Sequence, residues 1–250
     1  MTASDFSLHD ALSLKKSDTI FEVLGKMQYL ESTILQTREY SNILPFHHTY
    51  FLITMSVVDH TYRADDFTGE KAIQKLDVIF AKKYLDALSA FINNGELKSP
   101  WKQFFTLVSE TDPDPFAVLL AGINAHINGD LAMSLVDADY LHYEKDFKYV
   151  NSILLDEIPK VMSFLVKNQQ SILAAGAYML PSLTKYEFEK IIVRWRNEAW
   201  INAGQLQSKK INIEQIHDRA EEIGKQICSI VKITKLPGFL SDLERLSSLV

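Results

Sequence analysis

The residues whose types and spacing suit chemistry lie in the stretch 119–136, LLAGINAHINGDLAMSLV, where Asn124, His126, Asn128 and Asp130 interrupt an aliphatic run. At about 100° per residue the aliphatic side chains fall all round a helical wheel, so this helix must be covered on most sides. The polar residues alternate along the chain, yet on a helix they resolve into two pairs at i, i+4: His126 with Asp130, and Asn124 with Asn128 on a nearly opposite face. A buried carboxylate or imidazole needs a partner, because an unpaired polar group out of water costs several kcal/mol. Asp130 would therefore orient His126, accept from an arginine, or share a divalent metal ion with it, since a His/Asp pair one turn apart presents both ligand atoms to one ion. A buried hydrogen-bond network that only fixes helix register is the alternative. Gly122 and Gly129 lie near the His126 side, where the missing side chains let another helix or a ligand approach.

Partners for this pair are found further along. Asp146 repeats the spacing with His142, and Asp139 lies one turn before His142; Asn151 follows Asp146. Arg196 and Trp200 form another i, i+4 pair in WRNEAW, where Arg196 would clamp a carboxylate or phosphate, or close an internal salt bridge. His47 and His48 follow Pro45 at an expected helix start, Asp59 and His60 point apart on a helix, and Asp65 and Asp66 read as a solvated helix entrance. Cys228, the single cysteine, reads as core packing. No phosphate-binding glycine loop, dinucleotide fingerprint, HExxH or GxSxG is present.

The elements that position these residues follow from composition and periodicity. The chain has 250 residues, 47% hydrophobic, with only 9 Gly and 7 Pro, which favours long helices with short connectors over a many-turned β architecture. The expectation is an all-α fold, a single-domain multi-helix bundle of roughly eight to ten helices around a central buried helix at 116–136. An N-terminal arm at 1–17 precedes the helical domain at 18–250. Helical stripes begin at Asp18, then at Thr68 as N-cap, at Pro100 and Trp101, and after the DPDP run at 112–115. Tyr50 to Tyr62 reads as a buried helix. A helix from Tyr140 to Asn168 is expected to be kinked or divided by Pro159. Thr184 with Glu187, and Asn212 with Gln215, read as capping boxes for the last two long helices, with Pro237-Gly238 closing the second. A formal net charge of -6 argues against nucleic acid or an anionic membrane surface as partner. With no signal sequence and no uninterrupted apolar run of spanning length, the expectation is a cytoplasmic protein.

Several segments together resemble a bacterial all-helical family of unknown function with a NAHIN-x-DL signature. They are LDVIFAKKYLDAL at 76–88, PWKQFF at 100–105, GINAHINGDLAMSLV at 122–136, DFKYVN at 146–151 and RNEAWINA at 196–203, in order over about residues 50–206. The resemblance implies a shared site carried by Asn124, His126, Asp130, Asp146, Asn151, Arg196 and Trp200, and it implies no activity. A helix bearing His-x-x-x-Asp also looks like part of the zinc-dependent phospholipase C and single-strand nuclease fold, although most of the further ligands of that fold are missing here. Two readings of function result. In a metal-assisted hydrolase, His126 and Asp130 are metal ligands, Asp146 is a ligand or base, and Arg196 binds an anion. In a metal-free small-molecule binding protein, Arg196, Asn124 and Asn128 are anchors, with Asn151 and Trp200 beside the ligand. A structural domain whose polar cluster specifies the core is the third possibility.

Overall fold

The structure is a computed structural model that describes residues 8–15, 18–38, 40–63, 67–168 and 181–233. Among these residues there is no strand, and the helices are α1 (Leu8–Leu12), α2 (Ile20–Thr37), α3 (Leu44–Arg63), α4 (Glu70–Ile92), α5 (Trp101–Val108), α6 (Pro115–Asp137), α7 (Glu144–Lys167), α8 (Pro181–Gln207) and α9 (Ile213–Ile233). The all-α expectation holds. Asp65 and Asp66, the Pro237-Gly238 pair, and residues 1–7 and 16–17 of the expected arm lie outside the described residues. The rest of that arm is docked: Ala11, Leu12 and Leu14 are buried.

Local signals place most helix starts. Thr19 and Glu22 form a reciprocal capping box before α2, Asp114 accepts from the Phe116 and Ala117 amides with Pro115 in the first turn of α6, and Asn212 exchanges hydrogen bonds with Gln215 before α9. Pro45 lies inside the first turn of α3, where its missing N–H has no intrahelical acceptor to lose. Two expectations are corrected. Pro159 neither ends nor divides α7, which runs through it unbroken. Thr184 and Glu187 lie inside α8, which already begins at Pro181.

Helix α6 is the axis of the molecule. It packs against α3, α4, α5, α8 and α9, while α7 closes over α3 and α8, and α2 over α3 and α4. Its mean hydropathy of 1.2 and its length meet the criteria for a membrane span, but 89% of that apolar window is buried inside the protein. It is therefore a core helix covered by protein, as the all-round apolar wheel requires. The glycines do what close packing asks of them. A Cβ on Gly122 would fall within the Phe46 ring of α3, and one on Gly129 would fall on Pro100, just before α5.

The middle of α6 departs from α geometry. Residues Ala125–Leu131 form a π-helical segment, in which each turn closes on the fifth residue rather than the fourth. The change of phase shows in what faces inward together. His126 and Leu131, five residues apart, share the wall of one cavity, whereas in an unbroken α-helix they would point well apart.

Candidate functional site

A cavity of about 90 Å³ lies where α3, α4, α6, α7 and α8 converge. Its walls come from helical stripes: Tyr50, Ile53 and Thr54 of α3, Ile73, Asp77 and Phe80 of α4, Ile123 and Ile127 of α6, Val150 and Leu154 of α7, Ile192 of α8. Most of this surface is apolar. The polar exceptions are few, and several are poorly satisfied, which is the usual composition of a ligand site and an expensive one for a core.

Arg196, on α8, is 6% exposed and lines the cavity. Its Nε donates to Asn151 Oδ1 at 2.6 Å and an Nη donates to the Phe147 carbonyl at 3.0 Å, while the guanidinium lies 4.3 Å from the Phe147 ring centre. All three partners are neutral. Burial pulls the guanidinium down to about 10, with Tyr140 and Asp77 opposing. The counter-charge is Asp77, on α4 in the lining of the same cavity. The Asp77 carboxylate has no hydrogen-bond or ion-pair partner among the described residues. Burial pushes it up to about 7, with Arg196 pulling the other way. Asp77 is only half-buried by accessible surface, and it lines the cavity.

His126 is held in an aromatic box. Its ring stacks on Phe80 at 3.4 Å between centroids and 10° between planes, with Tyr50 edge-on at 4.3 Å. Among the described residues neither ring nitrogen has a hydrogen-bond partner, and the Tyr140 hydroxyl, in the lining of the same cavity, has none either. Burial holds the imidazole well below its ordinary pKa, so it is neutral, with one donor and one acceptor unused.

The other expected site residues are placed elsewhere. His126 and Asp130 do not pair, because Asp130 turns to α5 and accepts from the Trp101 indole at 2.7 Å. Burial pushes the Asp130 carboxyl up to about 7 and the indole bond lowers it. Asp146, expected as catalytic, serves structure instead: its carboxylate accepts from the Thr68 and Gly69 amides and the Thr68 hydroxyl, at 2.7 to 3.1 Å. It thereby supplies from α7 the cap that Thr68 was expected to supply to α4. Asn124 donates to the Ala220 carbonyl of α9 at 2.8 Å and accepts from Asn128 at 3.0 Å, so this pair ties helices together, and neither residue lines the cavity. Asn151 orients Arg196 rather than facing the cavity, and Trp200 packs on Phe147 at 4.7 Å. His142 and Asp139 are exposed at the surface, 3.9 Å apart. His47 is saturated by Tyr84 Oη and the Met27 carbonyl.

Of the expected set, the structure thus brings His126 and Arg196 to one cavity, and adds Asp77, Tyr140 and Tyr50. Asp77 had a sequence signal: it is an acid set on the inner stripe Ile73, Asp77, Phe80, Tyr84 of α4, where a charge is not tolerated without a reason. Tyr140 had none, since it lies in the connector after α6. Among the described residues no group of three or more His, Cys, Asp or Glu side chains is placed to hold a metal ion.

Neither the curated proteins nor the solved structures contain a match to this chain. The match that does exist is to a family without an assigned activity, and it spans residues 20–232, from the first residue of α2 almost to the end of α9. Every residue of the cavity falls within it, and the chain belongs to the family of unknown function DUF5995.

Proposed function

We propose that this protein is a metal-free binding protein for a small organic acid, held in the cavity between α3, α4, α6, α7 and α8 with its carboxylate on Arg196. The observation that carries this reading is a buried guanidinium contacted, among the described residues, only by neutral groups at the edge of an apolar cavity. A buried arginine normally meets a carboxylate, because burial without one forfeits hydration for nothing. Here the guanidinium is oriented by Asn151 and Phe147 and left available for a bidentate anion. A cavity of about 90 Å³ has room for a ligand of roughly six to ten non-hydrogen atoms, given that one water needs about 10–15 Å³ on the same measure.

The hydrolase reading gains no comparable support, since Asp130 and Asp146 are engaged by Trp101 and by the start of α4. A scaffold reading predicts a filled, satisfied core; the cavity and the unpartnered atoms around it weigh against that. A cytoplasmic location goes with the proposal.

The test is calorimetric titration of isovalerate and benzoate into the wild-type protein, Arg196→Lys, and the cavity-filling Ile53→Phe. Saturable binding to wild type, weakened by both substitutions, is expected, with about 2.7 kcal/mol of added stability at a hundred-fold excess over Kd. Failure of both acids to bind wild type up to their solubility limit would overturn the reading.

A further inference from the structure

We infer that the cavity's ligand is a small zwitterion with an apolar body, its carboxylate on Arg196 and its ammonium on Asp77. This rests on the binding reading above and adds the second charge. Asp77 and Arg196 line one cavity, from α4 and α8, yet they do not touch: the contacts of Arg196 go to Asn151 and Phe147, and Asp77 has no partner among the described residues. Opposite charges shielded from bulk water gain most by meeting each other. Held apart in an apolar cavity, they complement a molecule that carries the same two charges in reverse order.

The aromatic walls agree with an ammonium at the Asp77 end. Phe80 lies one helical turn from Asp77 and lines the same cavity with Tyr50, and aromatic surface of this kind favours a cation over an anion. A simple carboxylic acid would satisfy Arg196 while leaving Asp77 unpaired beside a second negative charge. A simple amine would do the converse to Arg196. Only a molecule with both groups leaves neither charge alone. The cavity volume limits its body to about the size of a valine or leucine side chain, and the spacing of its two charges is set by the gap between Asp77 and Arg196.

The experiment titrates a series of matched probes into the full-length protein. L-valine, L-leucine, 3-aminobutyrate and 5-aminovalerate carry both charges at different spacing; isovalerate carries only the acid and isobutylamine only the amine. At least one zwitterion is expected to bind about tenfold to a hundredfold more tightly than isovalerate and isobutylamine. In Asp77→Asn that zwitterion should lose this advantage while isovalerate affinity holds or rises, and in Arg196→Lys the zwitterion and isovalerate should both weaken. If isovalerate binds wild type at least as tightly as every zwitterion, the inference is overturned while the organic-acid reading stands. If isobutylamine matches the best zwitterion, or if no probe binds, the inference is overturned and the organic-acid reading loses its support as well. Asp77→Asn removes a buried charge without changing shape, and thermal unfolding of the variant confirms that it is folded.

Discussion

Asn151 Oδ1 accepts a 2.6 Å hydrogen bond from Arg196 Nε across the contact between α7 and α8. This bond fixes the guanidinium plane and leaves the residue's charge uncompensated at the place where the cavity begins.

Asn151→Leu should therefore cost about 1.5–3 kcal/mol, since it strands a charged donor in the core. Asn151→Asp should cost much less, because it gives Arg196 a carboxylate, and it should abolish binding of organic acids by occupying the guanidinium from within. Urea unfolding paired with calorimetry checks both. Unchanged acid affinity in Asn151→Asp would show that Arg196 is not the anchor.

Asp146 acts on stability alone. Asp146→Ala leaves the Thr68 and Gly69 amides at the start of α4 without their acceptor, a loss of about 1–3 kcal/mol. Ligand affinity, measured at a temperature where the variant remains folded, should stay near wild type. A large loss of affinity at full folding would restore Asp146 to the site.

The carboxyl of Asp77 makes stability depend on pH in a defined direction. Its folded value is raised to about 7 from the ordinary range near 4, so the folded state holds this proton more tightly than the unfolded chain. Its contribution is complete below about pH 4 and is lost as pH rises through 7, by at most about 1.4 kcal/mol per pH unit. His126 works oppositely: its folded value is depressed, so its contribution is present above about 6.5 and lost on acidification. Subtracting the unfolding free energy of Asp77→Asn from that of wild type isolates the first effect, because His126 and Asp130 titrate in both proteins. The difference should favour wild type least at pH 8 and most at pH 5; a flat difference would contradict the buried, unpaired state of Asp77.

His126→Phe separates cost from use. Both nitrogens of the buried ring lack partners among the described residues, and an unsatisfied buried polar group costs about 1–3 kcal/mol. An apolar ring stacked on Phe80 should match or exceed wild-type stability in the ligand-free protein. If affinity for the best-bound probe falls as well, the imidazole contacts ligand; if stability falls instead, the ring has a partner in solution.

How much of this was legible in the sequence depended on whether the signal was local. The fold class and the covered central helix were legible, because scarcity of Gly and Pro and an all-round apolar wheel are properties of the chain alone. So was the close approach at Gly122 and Gly129, and so was the pairing of Asn124 with Asn128. The His126–Asp130 pair was not realised, because Asp130 finds the Trp101 indole instead. Asp146 misled for a related reason. A carboxylate in the first turn of one helix says nothing of the bare amides at the start of another, 77 residues earlier. Asp77 could have been read as an acid on an apolar stripe, but its importance comes from sharing a cavity with Arg196, which is a tertiary fact.

The π segment of α6 has one consequence beyond the placing of side chains. A straight helix at the centre of a bundle can offer its neighbours only one set of ridges, repeated at fixed phase from end to end. Because Ala125–Leu131 are wound more loosely, the residues before and after them are offset from each other around the same axis. The upstream part packs on α3, α5 and α9, and the downstream part on α4 and α8. One rod thus serves two groups of neighbours, and the residues it gives the cavity, Ile123, His126, Ile127 and Leu131, lie where its two parts meet.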